Sequence, residues 1–451
     1  MARGKNKEVL TPEERLQAAL VPDWEQPYKV PKNWCWARGC AFLKPMETKR
    51  PQGEKFRYID IDAIDNKKQQ VTAPKIFLVK DAPSRASRKL QTGDTIFSMV
   101  RPYLMNIAYI DDSISDSIAS TGFYVCTPTE NVNPQYLYYL MTSPYTVEGL
   151  NQYMKGDNSP SIRKDDIENY AYPIPPLPEQ QRIVDRIESL FSKLNEAKQK
   201  VQDALDSFET RKAAILHKAF TGELTARWRK EHGVGMESWA SHPLKDVTQI
   251  GSGGTPSRKN SQYYLGDILW VKTGEIYWNY IYDSEEKITE EAIANSSAKL
   301  YPAGTVLVAM YGQGLTRGRA AILEVPATTN QAVCALQPCD CLGKRYLYYY
   351  FMANYWEYRE KAVGGNQPNY SATMIGKWII NIPSVLEQAE IVHILDNLLA
   401  KEQQAKEAAE AVLDQIDIIK KSILARAFRG ELGTNDPTEE SAVELVRNII
   451  S

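Results

Sequence analysis

The sequence predicts an α+β fold: two mixed α/β globules, related by pseudo-two-fold symmetry and joined by two long antiparallel coiled-coil helices. Three observations predict it. The first is internal repetition, which decides architecture ahead of any local reading. Sliding the 451-residue chain by 208 lays "GDNSPSIRKDDIENYAYPIPPLPEQQRIVDRI" (156–187) on "GGNQPNYSATMIGKWIINIPSVLEQAEIVHIL" (364–395). Gly156, Asn158, Pro160, Ile167, Ile174, Pro175, Glu179, Gln180, Ile183 and Val184 then meet identical residues. The second is texture: each half passes once from a Tyr-, Trp-, Gly- and Pro-rich stretch to a purely helical one. The third is that both helical stretches close on nearly the same string, "AFTGELT" at 219–225 and "AFRGELG" at 427–433.

The elements follow in order. Residues 1–30 form an N-terminal extension without the apolar core of a secretory signal. Residues 31–177 make the first globule, with strand-like runs such as "DTIFSMV" and a helical patch, "NPQYLYYLMTS". A helix over 178–222 follows, where Pro178 suits a first turn and Gly222 a stop. Steps of four and three from Ile183 reach Ile187, Leu190, Leu194, Ala197, Val201, Ala204, Phe208, Arg211 and Ile215. A linker at 223–238 leads to the second globule, 239–383. There "AGTVLVA" (303–309) and "YLYYYF" (346–351) answer "GDTIFSM" (93–99) and "YLYYLM" (136–141) at a shift of 210.

The second helix, 384–432, opens on "SVLE", which has capping-box spacing, and stops at Gly430. Its seam runs Ile391, Leu395, Leu398, Glu402, Ala405, Ala409, Val412, Ile416, Ile419, Ile423. Arg211 and Glu402 are the charged interruptions, one per seam. A 3.5-residue repeat of this length needs a partner helix, and mutual pairing covers both stripes at once. Two helices lying separately on their own globules are the alternative. Antiparallel pairing would hold the globules at opposite ends of the rod. Residues 433–451 form an acidic tail.

Composition excludes several classes. No run of about 18 apolar residues exists to span a membrane. Net charge is −2, from 54 basic and 56 acidic side chains, so any nucleic-acid surface must be local. The densest candidate is 66–93, with Lys67, Lys68, Lys75, Lys80, Arg85, Arg88 and Lys89 against Asp81 alone. The six cysteines include no CxxC pair and there are four histidines, which predicts reduced thiols in a cytoplasmic protein and no metal site.

"PIPPLPEQQRIVDRIESLFSKL", "AFTGELTARWR", "LEQAEIVHILDNLLA" and "AFRGELG" resemble the helices of specificity subunits of type I restriction–modification enzymes. "GSGGTPSRKNSQYYLGDILWVKTGEI" (251–276) resembles the opening of a target recognition domain in that family. The resemblance spans roughly residues 31–432. It implies two target recognition domains, each reading one half of a bipartite site on double-stranded DNA across a helical spacer. It also implies docking of two modification subunits, which bind S-adenosylmethionine and methylate adenine. Two motor–nuclease restriction subunits, using ATP and Mg, complete the enzyme. The chain itself then holds no cofactor and no catalytic residue. The N-terminal extension and acidic tail depart from the family pattern, and their helical character suits packing on a partner subunit.

Catalytic alternatives find no support in motifs. "TSPY" (142–145) lacks the second proline and the acidic or amide start of an adenine-methyltransferase motif. "GSGG" and "GQG" lack the full GxGxxG context, and "GKW" (376–378) fails as a P-loop. A self-sufficient DNA methyltransferase with an unrecognised cofactor site, or a modification-only system, remain the alternatives. DNA readout calls for Arg or Lys toward guanine, Asn or Gln toward adenine, and cations or small polar groups on phosphate. In the first globule these are Lys75, Lys80, Arg85, Arg88 and Lys89; Arg101 and Tyr103 of "VRPY"; and Asn158, Ser161 and Arg163 of "GDNSPSIR". In the second they are Thr255, Ser257, Arg258 and Lys259 of "TPSRKN", with Tyr311, Gln313, Arg317 and Arg319 of "YGQGLTRGR". Asn366, Gln367, Asn369 and Tyr370 of "GGNQPNYS" complete the set. Solvated arginines and a structural Gly-x-Asn-x-Pro turn are the competing readings.

Overall fold

A computed structural model of the chain describes residues 11–312, 314–360 and 369–450. It divides into two compact units: one of residues up to 201 together with those from 411 onward, the other of 202–410. Each long helix, Leu177–Phe220 and Val385–Ala427, contributes one end to each unit.

In the first unit, one four-stranded sheet runs Lys75–Leu78, Lys55–Ile59, Ile118–Ser120, Ala86–Lys89, with Lys55–Ile59 and Ile118–Ser120 parallel. A second, antiparallel, runs Leu43–Lys44, Phe123–Pro128, Thr95–Ser98, Ile107–Tyr109. The second unit repeats the plan. Lys287–Ile288, Ile268–Val271 and Thr328–Thr329 form its small sheet, the last two parallel. A five-stranded sheet, begun by Thr248–Ser252 and Val333–Pro338, is centred on Val306–Ala309. "TIFS" and "VLVA" are apolar on both faces because alternate residues feed different cores. Val306 and Val308 face the helices, while Leu307 and Ala309 enter a second cluster.

The same bonds recur in each unit. Tyr136 donates its hydroxyl to Pro173 O (2.8 Å), and Tyr346 donates to Asn381 O (2.7 Å). Gln180 accepts from Asn133 N and donates to Pro175 O, as Gln388 does with Gly343 N and Pro383 O. Phe428 stands edge-on to Tyr136 at 5.5 Å, and Phe220 lies on Tyr346 at 5.0 Å. Gly222 and Gly430 turn the chain out of each helix at φ +80° and +74°, where a Cβ would be strained.

Beneath each ending lies a buried glutamate. In the first unit Glu179 accepts from Trp34 Nε1 (2.7 Å), Asn435 Nδ2 (2.8 Å) and Thr434 Oγ1 (3.3 Å). In the second, Glu387 accepts from Trp239 Nε1 (3.2 Å), Thr225 Oγ1 (2.7 Å) and Arg229 (2.6 Å). Ser384 caps the helix through Glu387 N (3.3 Å), but the Glu387 carboxylate serves this junction instead of closing a capping box.

Within each unit the helical segments pair antiparallel. Lys198 meets Asp417 (3.3 Å) and Lys420 meets Asn195 (2.6 Å) in the first; Arg211 meets Glu402 (3.0 Å) in the second. The two charged interruptions of the seams thus answer each other. The seam itself needs a correction. Leu194, Val201, Phe208 and Ile215 lie on the covered stripe, but Ala197, Ala204, Ala405, Val412 and Ile419 are exposed. Their places are taken one residue later by Lys198, Leu205, Lys406, Leu413 and Lys420. Lysine stems can cover apolar surface while the ammonium groups of Lys198 and Lys420 reach Asp417 and Asn195, so apolarity alone chose the wrong neighbour. Reversing the inner pair shows its worth. Arg211→Glu or Glu402→Arg alone is expected to cost about 1 kcal/mol, and both together to recover most of it in chemical denaturation.

The N-terminal extension and the tail meet within the chain itself. Helix Pro12–Ala19, opened by a Thr11–Glu14 capping box, packs on helix Ala442–Ile450 within the first unit. Leu16 and Ala19 share one core with Ala442 and Val446, and Arg447 pairs with Glu13 (3.0 Å). The cysteine expectation changes too: Cys339 and Cys341 form a disulfide, since the turn at Cys339–Leu342 brings their Cα atoms to 5.3 Å. Cys35, Cys126 and Cys334 are buried free thiols. No helix among the described residues is long and apolar enough to cross a membrane.

Candidate nucleic-acid interface

In the first unit the strand Thr95–Ser98 ends in a turn whose backbone is unusual. Arg101 and Met105 take φ +48° and +55°, flanking the short helical turn Pro102–Leu104. A non-glycine residue there costs about 1–2 kcal/mol, so its surroundings must hold it. They do so through the Gly-x-Asn-x-Pro loop. Arg101 N donates to Pro160 O (2.8 Å), its guanidinium donates to Asn158 O (2.8 Å), and Ile162 N donates to Met99 O (2.9 Å). Arg101, the half-exposed Tyr103, Asn158, Ser161 and Arg163 are thereby brought together. Met99 N and Arg85 O bond to Gly122 and Thr121 respectively, which sets the exposed Arg85 beside this turn.

The rest of the basic stretch is less cationic than its sequence suggests. Lys75 pairs with Asp60 (2.6 Å) and Asp62 (3.4 Å), and that hydrogen bonding raises its pKa. Lys89 pairs with Glu47 (2.6 Å). Arg88 is half-buried, and Lys80 and Arg85 remain exposed. A sequence window counts neighbours along the chain, whereas these acids arrive from segments outside it.

The second unit repeats the junction. Tyr370 N donates to Met310 O (3.0 Å), the counterpart of Ile162 on Met99, so the two candidate loops again meet. Tyr311 is exposed, and Arg317 and Arg319 are half-buried. Gln313, Asn366 and Gln367 lie outside the described residues. Asn369 is exposed, but Tyr370 is a correction: at 2% exposure it belongs to the core, with Arg317 5.6 Å over its ring. It supports the loop and offers no free face.

Gly253 N and Met310 N bond to Val333 O and Ala332 O, which places the Thr255–Lys259 loop alongside. The glycines of "GSGG" are explained by crowding: a Cβ on Gly253 would meet Thr329 O at 2.1 Å. Thr255, Ser257 and Lys259 are exposed. Arg258 is already engaged, with Glu286 at 2.6 Å and the rings of Tyr264 and Trp270 at 4.1 and 5.0 Å. The Arg258 hydrogen bond, helped by Lys272, pulls the Glu286 carboxyl down to about 2.

Sequence reading missed Arg359 and Trp356, which flank the Tyr311–Arg319 loop from the helix Tyr355–Glu360. "YWEYRE" looks like a plain helix, and only the fold sets it against that loop. Both units therefore offer amides, hydroxyls, exposed rings and a few cations on neighbouring loops. Among the described residues, no group of three or more His, Cys, Asp or Glu could hold a metal ion.

The family model described as the type I restriction modification DNA specificity domain matches residues 42–205 and again 236–411. The chain belongs to this family. The two matches fall on the two repeats. One relative, the MjaIX type I restriction enzyme specificity subunit of Methanocaldococcus jannaschii, is 32% identical over 41% of this chain. The match covers only 45% of that relative's length. The HindI specificity subunit of Haemophilus influenzae is 23% identical over 78% of the chain and 90% of its own length. A solved chain, from a structure addressing complex assembly and conformational transition of the type I R-M system, superposes with a TM-score of 0.72 at 27% identity. It covers 90% of this chain and 100% of that one.

Proposed function

We propose that this chain reads a bipartite, asymmetric site on double-stranded DNA, one half per unit, and lends that specificity to separate enzymes. The observation that carries this reading is the repeated loop junction, Ile162 on Met99 and Tyr370 on Met310. It gathers polar and cationic candidates at corresponding places in two sequence-divergent units. Family membership supports the scaffold role. Two modification subunits, binding S-adenosylmethionine and methylating adenine, dock on the chain, and two motor–nuclease subunits using ATP and Mg join them. The chain contributes no catalytic group and no cofactor, and acts in the cytoplasm.

The test is methylation of a random-sequence DNA library by the purified chain with its modification subunit and S-adenosylmethionine. Adenine methylation at one two-part sequence is expected only when both proteins are present. Exchanging residues 31–177 for those of a relative should rewrite one part and leave the other. Methylation by the chain alone would overturn the reading in favour of a self-sufficient methyltransferase.

A further inference from the structure

Three candidate readers among the described residues, Tyr311, Arg317 and Arg319, lie on one loop, and the carbonyls of its Gly314–Arg317 part are held from behind. Arg359 donates one guanidinium nitrogen to Arg317 O (2.6 Å) and another to Gly314 O (2.6 Å). Tyr355, one helical turn earlier, donates its hydroxyl to Leu315 O. Three carbonyls of the loop are thus gripped by two side chains of one short helix, Tyr355–Glu360. The guanidinium is half-buried and rests 5.2 Å over Tyr355 and 6.0 Å over Trp356, which restricts its freedom further. The carbonyls so held space the exposed Tyr311 from the half-buried Arg317 and Arg319 along the loop.

We infer that Arg359 is a positioning residue: it fixes the Tyr311–Arg319 loop and so governs the base preference of the half-site read by the second unit, without contacting DNA. This rests on the proposed DNA-reading function. A planar fork with two fixed donors suits the task, because it holds two carbonyls in one geometry; a lysine ammonium cannot reproduce that. The first unit solves the same problem differently. There Arg101, inside the reading turn itself, grips Asn158 O. The positioning arginine of the second unit comes from a helix instead, so its loss leaves every candidate reader in place but loosely held.

The experiment uses the chain assembled with its modification subunit, on the same random-sequence library. For Arg359→Ala, the preference for the correct base over single-base variants is expected to fall about tenfold or more in one half-site. The other half-site should be unchanged. Arg359→Lys should behave like the alanine variant, since charge without the fork does not hold the loop. The slope of log affinity against log salt should stay at the wild-type value for both. A phosphate contact would instead lower that slope by about one per contact and be rescued by lysine. Tyr355→Phe, which removes the third grip, should blur the same half-site to a smaller degree.

Unchanged preferences, rescue by lysine, a shallower salt slope, or equal loss in both half-sites would each overturn the inference. Should the wild-type assembly itself methylate without sequence preference, the functional reading fails first and this inference with it. Selective blurring of one half-site with an intact salt slope supports both.

Discussion

Replacing Glu387 by alanine is expected to destabilise the second unit by at least about 3 kcal/mol. The carboxylate is fully buried, and its partner Arg229 has a side chain only 9% exposed. Arg229 also donates to Thr225 Oγ1 (3.0 Å) and Gly222 O (2.6 Å), so it cannot swing out to water. Removing one member of a buried pair leaves an uncompensated charge, which typically costs 3–5 kcal/mol. Glu179→Ala in the first unit should cost less, about 1–3 kcal/mol. Its partners Trp34, Thr434 and Asn435 are neutral donors that lose an acceptor. Replacing both Arg229 and Glu387 by Met and Leu should recover much of the loss, because a packed apolar pair carries no desolvation penalty. Urea unfolding of each variant checks the order. A Glu387→Ala chain as stable as the wild type would refute the junction as a keystone of the second unit.

Deleting residues 434–451 is expected to destabilise the first unit by on the order of 5 kcal/mol and leave the second intact. The deletion uncovers Leu16 and Ala19 by removing Ala442, Val446 and the partly buried Leu445 and Ile449. It also strips Glu179 of Thr434 and Asn435, and Arg182 of its two bonds to Glu439 (2.8 and 2.9 Å). Burial of each large apolar side chain is worth about 1.5–3 kcal/mol, to which the lost polar bonds add. Hydrogen exchange localises the effect: amides of Thr95–Ser98 and Phe123–Pro128 should lose protection, while those of Val306–Ala309 should not. Were the tail instead a docking element for a partner, the isolated truncated chain would keep its protection and lose only partner affinity.

Much of this molecule was legible because duplication prints architecture directly. The repeated Glu-Gln pairs, 179–180 and 387–388, and the repeated Phe-x-Gly-Glu-Leu endings marked where each helix begins and ends. The structure turned those matches into matching bonds. Periodicity located the long helices and both charged interruptions. It misplaced alternate seam positions, because Ala197 and Ala405 look more apolar than the lysines beside them. The candidate readers were found in groups, yet the sequence did not say that Arg258 is spent on Glu286 or that Tyr370 is buried. Nor did it distinguish Lys75 and Lys89, neutralised by acids from elsewhere in the unit, from the exposed Arg85.

The sequence by itself determined the duplication, the two long helices with their glycine stops, and membership in a DNA-specificity family. These rest on order and spacing along the chain, which residue identities record. Tertiary structure alone decided which charges are paired, which loops meet, and that helices 12–19 and 442–450 close on each other across the whole length of the sequence. Those outcomes depend on contacts between residues far apart in the chain, and local propensity carries no information about them.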